Sequence, residues 1–169
     1  MPLHDSRGLA PLGQRCFRDA VREDTSAMRI YFAAPLFSAA ERAWNLSLAS
    51  ALRLAGHEVF LPQEQEPARG AAAIFTTDVA GIDGSDAVIA VMDGADPDSG
   101  TSWEVGYAYG KKPTVLVRTD IRRDQGSGSS GYNAMLTEAA TIRIDAIAAP
   151  MDDIVRDVLA ALARLEPAS

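Results

Sequence analysis

The sequence has few of the residues that build disulfides, metal sites and membrane spans. One cysteine, Cys16, and two histidines offer neither an internal disulfide nor a cluster of thiolates or imidazoles that could hold zinc. No apolar run approaches the roughly 20 residues of a membrane helix, and the first residues lack the apolar core of a secretion signal. We therefore expect a cytoplasmic protein with no membrane contact, no bound metal and no cofactor.

Positive charge is also scarce. The chain has 16 Lys and Arg against 23 Asp and Glu, a net charge of −7 at pH 7. A nucleic-acid partner needs a broad basic face, so this balance disfavours one. The 169 residues, 47% of them hydrophobic, suit a single domain with a substantial core. We place that domain at residues 28–169. Residues 1–27 form an N-terminal extension whose mixed, weakly periodic composition predicts mobility outside the core.

Short apolar runs alternate with helical patterns along the proposed domain. The runs have the length and composition of buried parallel strands, and the segments between them are long enough for helical crossovers. Strands are predicted at 28–33, 58–61, 87–92, 114–118 and 141–144, and helices at 38–55, 71–82, 101–109 and 151–165. This alternation predicts an α/β, flavodoxin-like fold, a doubly wound five-stranded parallel sheet with strand order 2-1-3-4-5.

The stretch 98–110 follows the predicted third strand, at the sheet edge where ligands bind in this class of fold. Turn and N-cap residues at 99–101 predict a helix start near Thr101, which puts Glu104 in the first turn. The helix dipole and backbone N–H groups there would favour an ionised carboxylate. Alternatively, Glu104 only completes a capping box with Thr101. The spacing alone does not separate these two interpretations.

Carboxylates dominate the polar groups at the predicted strand ends. The sequence shows no Ser/His/Asp arrangement, and residues 33–37 after the first strand carry no glycine, so a dinucleotide signature is missing. The groups that remain are three carboxylates, a phenol and three amides: Asp78, Asp98, Glu104, Tyr31, Gln63, Gln65 and Asn133. Carboxylates without a metal suit chemistry at an anomeric carbon, where one attacks the sugar and a second acid protonates the leaving group.

Four short segments are informative in combination. They are Tyr31-Phe-Ala-Ala-Pro-Leu-Phe37, Asp78-Val-Ala-Gly-Ile-Asp-Gly-Ser-Asp86, Asp98-Ser-Gly-Thr-Ser-Trp-Glu-Val-Gly-Tyr-Ala108 and Tyr132-Asn-Ala-Met135. The first three resemble the nucleoside 2-deoxyribosyltransferase family, and the last is similar to a segment that this family donates across a subunit interface. The resemblance runs from about residue 28 to 144. It implies transfer of 2-deoxyribose from a 2′-deoxynucleoside to a free nucleobase by double displacement, a reaction of nucleotide salvage.

The resemblance also implies roles for individual residues. Glu104 would be the nucleophile that forms a covalent glycosyl-enzyme at C1′, Tyr31 would hold its carboxylate in line, and Asp78 would assist protonation of the departing base. Asp98 would bind the sugar's 5′-hydroxyl together with Asn133 of a neighbouring subunit. The protein would then be a homo-oligomer, at least a dimer, with a tetramer or hexamer as larger forms. The further candidates for contacts with the base or the sugar are Gln63, Gln65, Met135 and Phe37.

Two alternatives to the transferase remain. The first is an N-glycosidase that hydrolyses the same bond in a deoxynucleoside or a deoxynucleotide; related enzymes that act on nucleotides place serines around the phosphate. Here Asp98 stands six residues before Glu104, and a carboxylate repels a phosphate dianion but accepts a hydrogen bond from a hydroxyl; Ser99 and Ser102 lie close by. The second alternative is a non-catalytic nucleoside-sensing domain, because a fold does not fix a function. The sequence leaves purine or pyrimidine preference, and deoxyribo or ribo preference, open.

Overall fold

A central parallel sheet organises the chain. In a computed structural model, the residues described are 27–65, 70–122 and 133–165, so the predictions for residues 1–26 and for most of the Gly/Ser-rich loop 120–131 lie outside them. The strands are β1 Arg29–Ala33, β2 Glu58–Phe60, β3 Ala87–Val91, β4 Thr114–Arg118 and β5 Ile142–Asp145. Their order is β2-β1-β3-β4-β5, and every neighbouring pair is parallel. The predicted sheet is confirmed.

Helices connect the strands. They are α1 Ala39–Leu54, α2 Ala71–Gly84, α3 Ser99–Ala108, α4 Ala134–Ala139 and α5 Met151–Leu162. The sequence had not predicted α4, because six residues are too few to show a helical period. Asn133 is its N-cap, and the Asn133 side chain accepts a hydrogen bond from the Leu136 N–H. Over the ranges that the structure describes, no helix combines the length and apolar character needed to cross a membrane.

The helices form two layers, one on each face of the sheet. Successive side chains of a strand point to opposite faces, and β1 shows this directly. Ile30 and Phe32 pack in the core formed with α1 and α5, whereas Tyr31 and Ala33 pack in the core formed with α2, α3 and α4. All four side chains are buried. Tyr31 is thereby directed into the second layer, beneath α2 and α3.

A capping box starts α1 directly after the loop that follows β1. The Glu41 N–H donates to Ser38 Oγ at 3.2 Å. In return, Glu41 Oε2 accepts the Ser38 N–H at 2.7 Å and the Phe37 N–H at 2.9 Å. This reciprocal pattern satisfies backbone donors that the first helical turn leaves without intrahelical partners. The chain's own carboxylate therefore occupies the N-terminus of α1.

Candidate active site

Tyr31 and Glu104 form the centre of the site. The Tyr31 hydroxyl, on the central residue of β1, donates to Glu104 Oε1 at 2.6 Å. The Tyr31 side chain is fully buried. Burial raises the pKa of the Tyr31 hydroxyl above its ordinary value, and the negative charge of Glu104 raises it further. The phenol therefore stays protonated and remains a hydrogen-bond donor. The structure thus brings together two residues that are 73 positions apart in the sequence.

The start of α3 differs from the prediction. The N-cap is Asp98, not a residue at 99–101, and Asp98 Oδ2 accepts the Thr101 N–H at 2.9 Å and the Thr101 hydroxyl at 3.2 Å. Because α3 begins at Ser99, Glu104 lies in the second turn and not the first. A capping box of Thr101 with Glu104 is therefore wrong, since Asp98 performs the capping and the Glu104 carboxylate bonds to Tyr31 instead.

The electrostatics of Glu104 also differ from the expectation of a readily ionised group. Burial raises the pKa of Glu104 to about 7, the Tyr31 hydrogen bond opposes that rise, and the negative charges of Asp78 and Asp98 add to it. A position one turn further into the helix removes Glu104 from the backbone donors of the N-terminus. The desolvation of the carboxylate therefore dominates. Asp78 and Asp98 therefore lie close enough for their charges to affect the ionisation of Glu104.

Asp78 is half-buried on α2 rather than turned out to solvent. Burial raises the pKa of its carboxyl, and hydrogen bonding with Tyr31 lowers it. Tyr31 thus interacts with both Asp78 and Glu104, and each of these carboxyls has a raised pKa. Perturbed carboxyls of this kind are common at functional sites. In the part of the chain that the structure describes, no three His, Cys, Asp or Glu side chains are grouped to hold a metal ion.

Phe60 and Gly81 support this arrangement, and the sequence did not identify them. The ring of Phe60, at the end of β2, stacks on Tyr31 with centroids 5.4 Å apart and planes at 18°. A Cβ at Gly81 would come within 2.9 Å of the Phe60 ring. A side chain at residue 81 would force either the Phe60 ring or helix α2 to shift, and Asp78 lies one turn earlier on that helix. The contact is long-range and leaves no local pattern in the sequence.

An aromatic group on the surface ties α2 to α3. Phe75 meets Trp103 at 5.3 Å between ring centroids, and Trp103 stacks on Tyr107 at 5.2 Å. Near the other end of α2, the Tyr107 hydroxyl donates to the Asp83 carboxylate at 3.1 Å. Phe75 stands one turn before Asp78, and Trp103 directly precedes Glu104. These contacts join the two helices that carry the two carboxyls.

The other residues predicted to contact the base or the sugar form no hydrogen bond with Tyr31 or Glu104 within the described part of the chain. Gln63 bridges to α1, because its Oε1 accepts from Asn45 Nδ2 at 3.2 Å and its Nε2 donates to the Arg42 carbonyl at 2.9 Å. Gln65 Nε2 donates to the Leu61 carbonyl at 3.2 Å. Among the described residues, no hydrogen bond joins either glutamine to the Tyr31 and Glu104 pair. The hydrophobic candidates are strongly exposed, Phe37 by 78% and Met135 by 82%.

Asn45 is a further residue that the sequence analysis missed. It is buried, and its Nδ2 also donates to the carbonyl of Pro35 at 2.9 Å, which fixes the loop after β1. The signal was present, because Asn45 lies on the same face of α1 as Leu48 and Leu52. A polar side chain in an apolar helical stripe needs a hydrogen-bond partner. Here the partners are the loop after β1 and Gln63.

The fold and this site define an α/β protein in which carboxylates of two helices, α2 and α3, gather around a buried tyrosine of the parallel sheet. The model of the nucleoside 2-deoxyribosyltransferase family matches residues 30–139. This match spans well over half of the chain and includes Tyr31, Asp78, Asp98 and Glu104. The chain belongs to the nucleoside 2-deoxyribosyltransferase family.

Solved structures share the fold. A 2-deoxyribosyltransferase from Bacillus psychrosaccharolyticus matches with a TM-score of 0.60 and 23% identity, covering 83% of this chain and 99% of that chain. A 2-deoxyribosyltransferase from Leishmania mexicana matches with a TM-score of 0.58 and 25% identity, covering 76% of this chain and 97% of that chain. A CMP N-glycosidase from Clostridium botulinum matches with a TM-score of 0.52 and 20% identity, covering 77% of this chain and 97% of that chain. No curated protein matches the chain at the level of sequence.

Proposed function

We propose that this protein transfers the 2-deoxyribosyl group of a 2′-deoxynucleoside to a free nucleobase, with Glu104 as the nucleophile. The observation that carries the proposal is the 2.6 Å hydrogen bond from Tyr31 to Glu104 Oε1. A carboxylate held by a buried phenol has a fixed orientation, and its second oxygen is left to attack. A structural role alone would not require a carboxyl whose pKa is raised to about 7 beside two further carboxylates.

The reaction consists of two displacements. In the first, an oxygen of ionised Glu104 bonds to C1′ of the sugar while the N-glycosidic bond breaks, and the electron pair of that bond leaves with the base. The base takes a proton from the carboxyl of Asp78, whose pKa is raised by burial. In the second, a nitrogen of the incoming base attacks C1′, the Glu104 carboxylate departs, and Asp78 recovers a proton from that base.

Tyr31 holds the nucleophile and tunes its charge. Its hydrogen bond lowers the pKa of Glu104 against the effect of burial. Without this bond, a smaller fraction of the protein would carry the ionised carboxylate that the first displacement requires. The stack of Phe60 on Tyr31 and the fully buried position of the ring prevent the phenol from turning away. The other candidates for substrate contact are Gln63, Gln65, Phe37 and Met135.

Asp98 and Asn133 bind the sugar in this proposal. Asp98 lies within electrostatic reach of Glu104, since its charge contributes to the raised pKa of that residue. Asn133 and Met135 are exposed at the start of α4. The Asn133 oxygen caps the helix, and its amide nitrogen supplies donors that a ligand of a second subunit could use. We therefore propose a homo-oligomer, at least a dimer, in which Asn133 completes the neighbouring site.

Hydrolysis is the second candidate reaction. The same glycosyl-enzyme would yield free sugar if water, rather than a base, attacked C1′. A deoxynucleotide as substrate is disfavoured, because the negative charge of Asp98 beside Glu104 would repel the negative charge of a phosphate. A nucleoside rather than a nucleotide therefore fits the charges of this site better.

The test is a product analysis. The protein is incubated with deoxyinosine or thymidine, with and without a panel of free bases, and the products are separated. New nucleosides support the transferase. Sugar and base alone, whether or not a second base is added, mean a hydrolase. Turnover by Glu104→Gln at the wild-type rate would show that the nucleophile is another group, and binding without any turnover would indicate the nucleoside-sensing alternative.

A further inference from the structure

We propose that Arg118 is a positioning residue for Asp98, acting through the segment that joins β3 to α3. The inference rests on the proposed function, in which Asp98 binds the 5′-hydroxyl of the sugar. Arg118 is the last residue of β4 and is only 2% exposed. Its side chain lies on the same face of the sheet as Leu116, the face covered by α2, α3 and α4. A buried guanidinium at a ligand-binding sheet edge calls for an explanation.

Arg118 binds the backbone that leaves β3. Its Nη1 donates to the carbonyl of Met92 and its Nη2 to the carbonyl of Gly94, each at 2.9 Å. The planar, forked guanidinium can reach two carbonyls that are two residues apart, whereas the ammonium of a lysine is a compact point donor. The choice of arginine at this position therefore fits a role in fixing backbone geometry.

Side chains of both segments complete the connection. Asp93 accepts the Thr119 N–H at 2.6 Å, the Thr119 hydroxyl at 2.5 Å and the Asp120 N–H at 3.1 Å. In the other direction, the Gly94 N–H donates to Asp120 Oδ2 at 3.2 Å. With the two bonds of Arg118, six hydrogen bonds join residues 92–94 to residues 118–120. We call this set the β3–β4 latch.

The latch limits where Asp98 can lie. Gly94 has φ +103°, a conformation that side chains rarely adopt, and the chain turns back closely there, since a Cβ on Gly94 would lie 3.1 Å from the Asp96 carbonyl oxygen. Pro97, directly before Asp98, is buried and has a restricted φ. The segment 95–97 is thus a short link between the latch and the N-cap of α3. Displacement of Gly94 would move the Asp98 carboxylate with it.

The test compares Arg118→Lys with wild type on two substrates. One is a 2′-deoxynucleoside and the other is its 2′,5′-dideoxy analogue, which has no hydroxyl for Asp98 to bind. We expect Arg118→Lys to lower kcat/KM for the first substrate about tenfold, mainly through KM, as the weakening of one charge-assisted hydrogen bond would do. For the analogue, we expect a change of less than about twofold. A uniform loss on both substrates would overturn the inference, because a general disturbance of the fold does not distinguish a 5′-hydroxyl.

Three controls sharpen the test. Arg156→Lys makes the same chemical change on α5, where Arg156 forms exposed ion pairs with Asp153 and Asp157, and it should change neither substrate's kinetics. In an Asp98→Asn background, Arg118→Lys should add almost nothing; additive losses would count against the inference. If Arg118→Lys does not fold, Thr119→Val removes one bond of the latch and should give the same selective loss, smaller in size.

The inference and the proposed function fail in different ways. If wild type acts on neither substrate, the proposed function is wrong and the role of Arg118 in it falls too. If wild type is active and Arg118→Lys shows no selectivity for the 5′-hydroxyl, the proposed function stands and only the inference about Arg118 is wrong.

Discussion

Tyr31 Oη and Glu104 Oε1 are 2.6 Å apart, and this one hydrogen bond opposes the burial that raises the pKa of Glu104 to about 7. Tyr31→Phe removes the hydroxyl and keeps the ring stacked on Phe60. The pKa of Glu104 should then rise further, so the rate should reach half of its maximum at a higher pH than in wild type. The maximal rate should fall about tenfold or more, the effect of losing one hydrogen bond to a charged group.

The measurement is the pH dependence of single-turnover base exchange. Tyr107→Phe is the matched control, because it also removes a tyrosine hydroxyl bonded to a carboxylate, that of Asp83, on the same pair of helices. Its profile should superimpose on that of wild type. If Tyr31→Phe leaves the acidic limb of the profile unchanged, Tyr31 does not tune Glu104.

The raised pKa of Glu104 makes a second prediction, about stability. A carboxyl whose pKa is higher in the folded state than its ordinary 4.5 contributes stability in its neutral form below pH 4.5. That contribution is lost as the pH rises through about 7, where the folded group ionises. Glu104→Gln imitates the neutral form. It should therefore increase the free energy of unfolding at pH 8 by on the order of 2 kcal/mol relative to its effect at pH 5.

Denaturant unfolding at the two pH values measures this difference. Glu58→Gln, at an exposed position of β2, is the control for removing a negative charge from an acidic protein. A pH-independent effect of Glu104→Gln, or an equal effect of Glu58→Gln, would mean that Glu104 is not desolvated in the folded protein.

The contact between Gly81 and Phe60 gives a third prediction. Gly81→Ala would bring a methyl group to within 2.9 Å of a ring that is already stacked on Tyr31. We expect a loss of about 1–3 kcal/mol in the free energy of unfolding, the usual cost of overpacking, together with slower exchange because Asp78 moves with α2. Gly106→Ala on α3 is the control, since nothing lies within 4 Å of the added Cβ.

The free energy of unfolding of the control variant Gly106→Ala should increase by about 0.5–1 kcal/mol, because alanine is a better helix former than glycine. Thermal unfolding and exchange rates of the two variants provide the comparison. If both variants are stabilised and active, α2 tolerates a larger distance from the sheet and the close packing at Gly81 has no catalytic consequence.

The proposed completion of each site by a neighbouring subunit makes a fourth prediction, which can be tested by mixing two defective proteins. Glu104→Gln removes the nucleophile. Asn133→Asp keeps an oxygen that can cap α4 but removes the amide donors. Each variant alone should be nearly inactive. When the two are unfolded together and refolded, each mixed dimer should contain one intact site, with Glu104 from one subunit and Asn133 from the other, and activity should return. No recovery in a mixture shown to contain mixed dimers would contradict completion of the site by a neighbour.

The sequence was sufficient for the sheet because each buried parallel strand is a local apolar run, as at 87–91 and 114–118. It was insufficient for the details around α3, where Asp98 and Thr101 are both acceptable N-caps and only the tertiary structure chooses between them. The partnership of Tyr31 with Glu104 followed from family resemblance, but its electrostatic consequence depends on burial. The contact of Phe60 with Gly81 has no local signature at all.

The capping box of α1 bears on which molecules can enter the crevice. Helix N-termini beside the strand ends of such sheets are natural binding places for a phosphate. In this chain, Glu41 already occupies the N–H groups of Phe37 and Ser38 at α1. Asp98 likewise takes the Thr101 N–H at α3. Each of these two helix starts therefore already holds a carboxylate of the chain itself, and a phosphate placed there would be repelled by that negative charge.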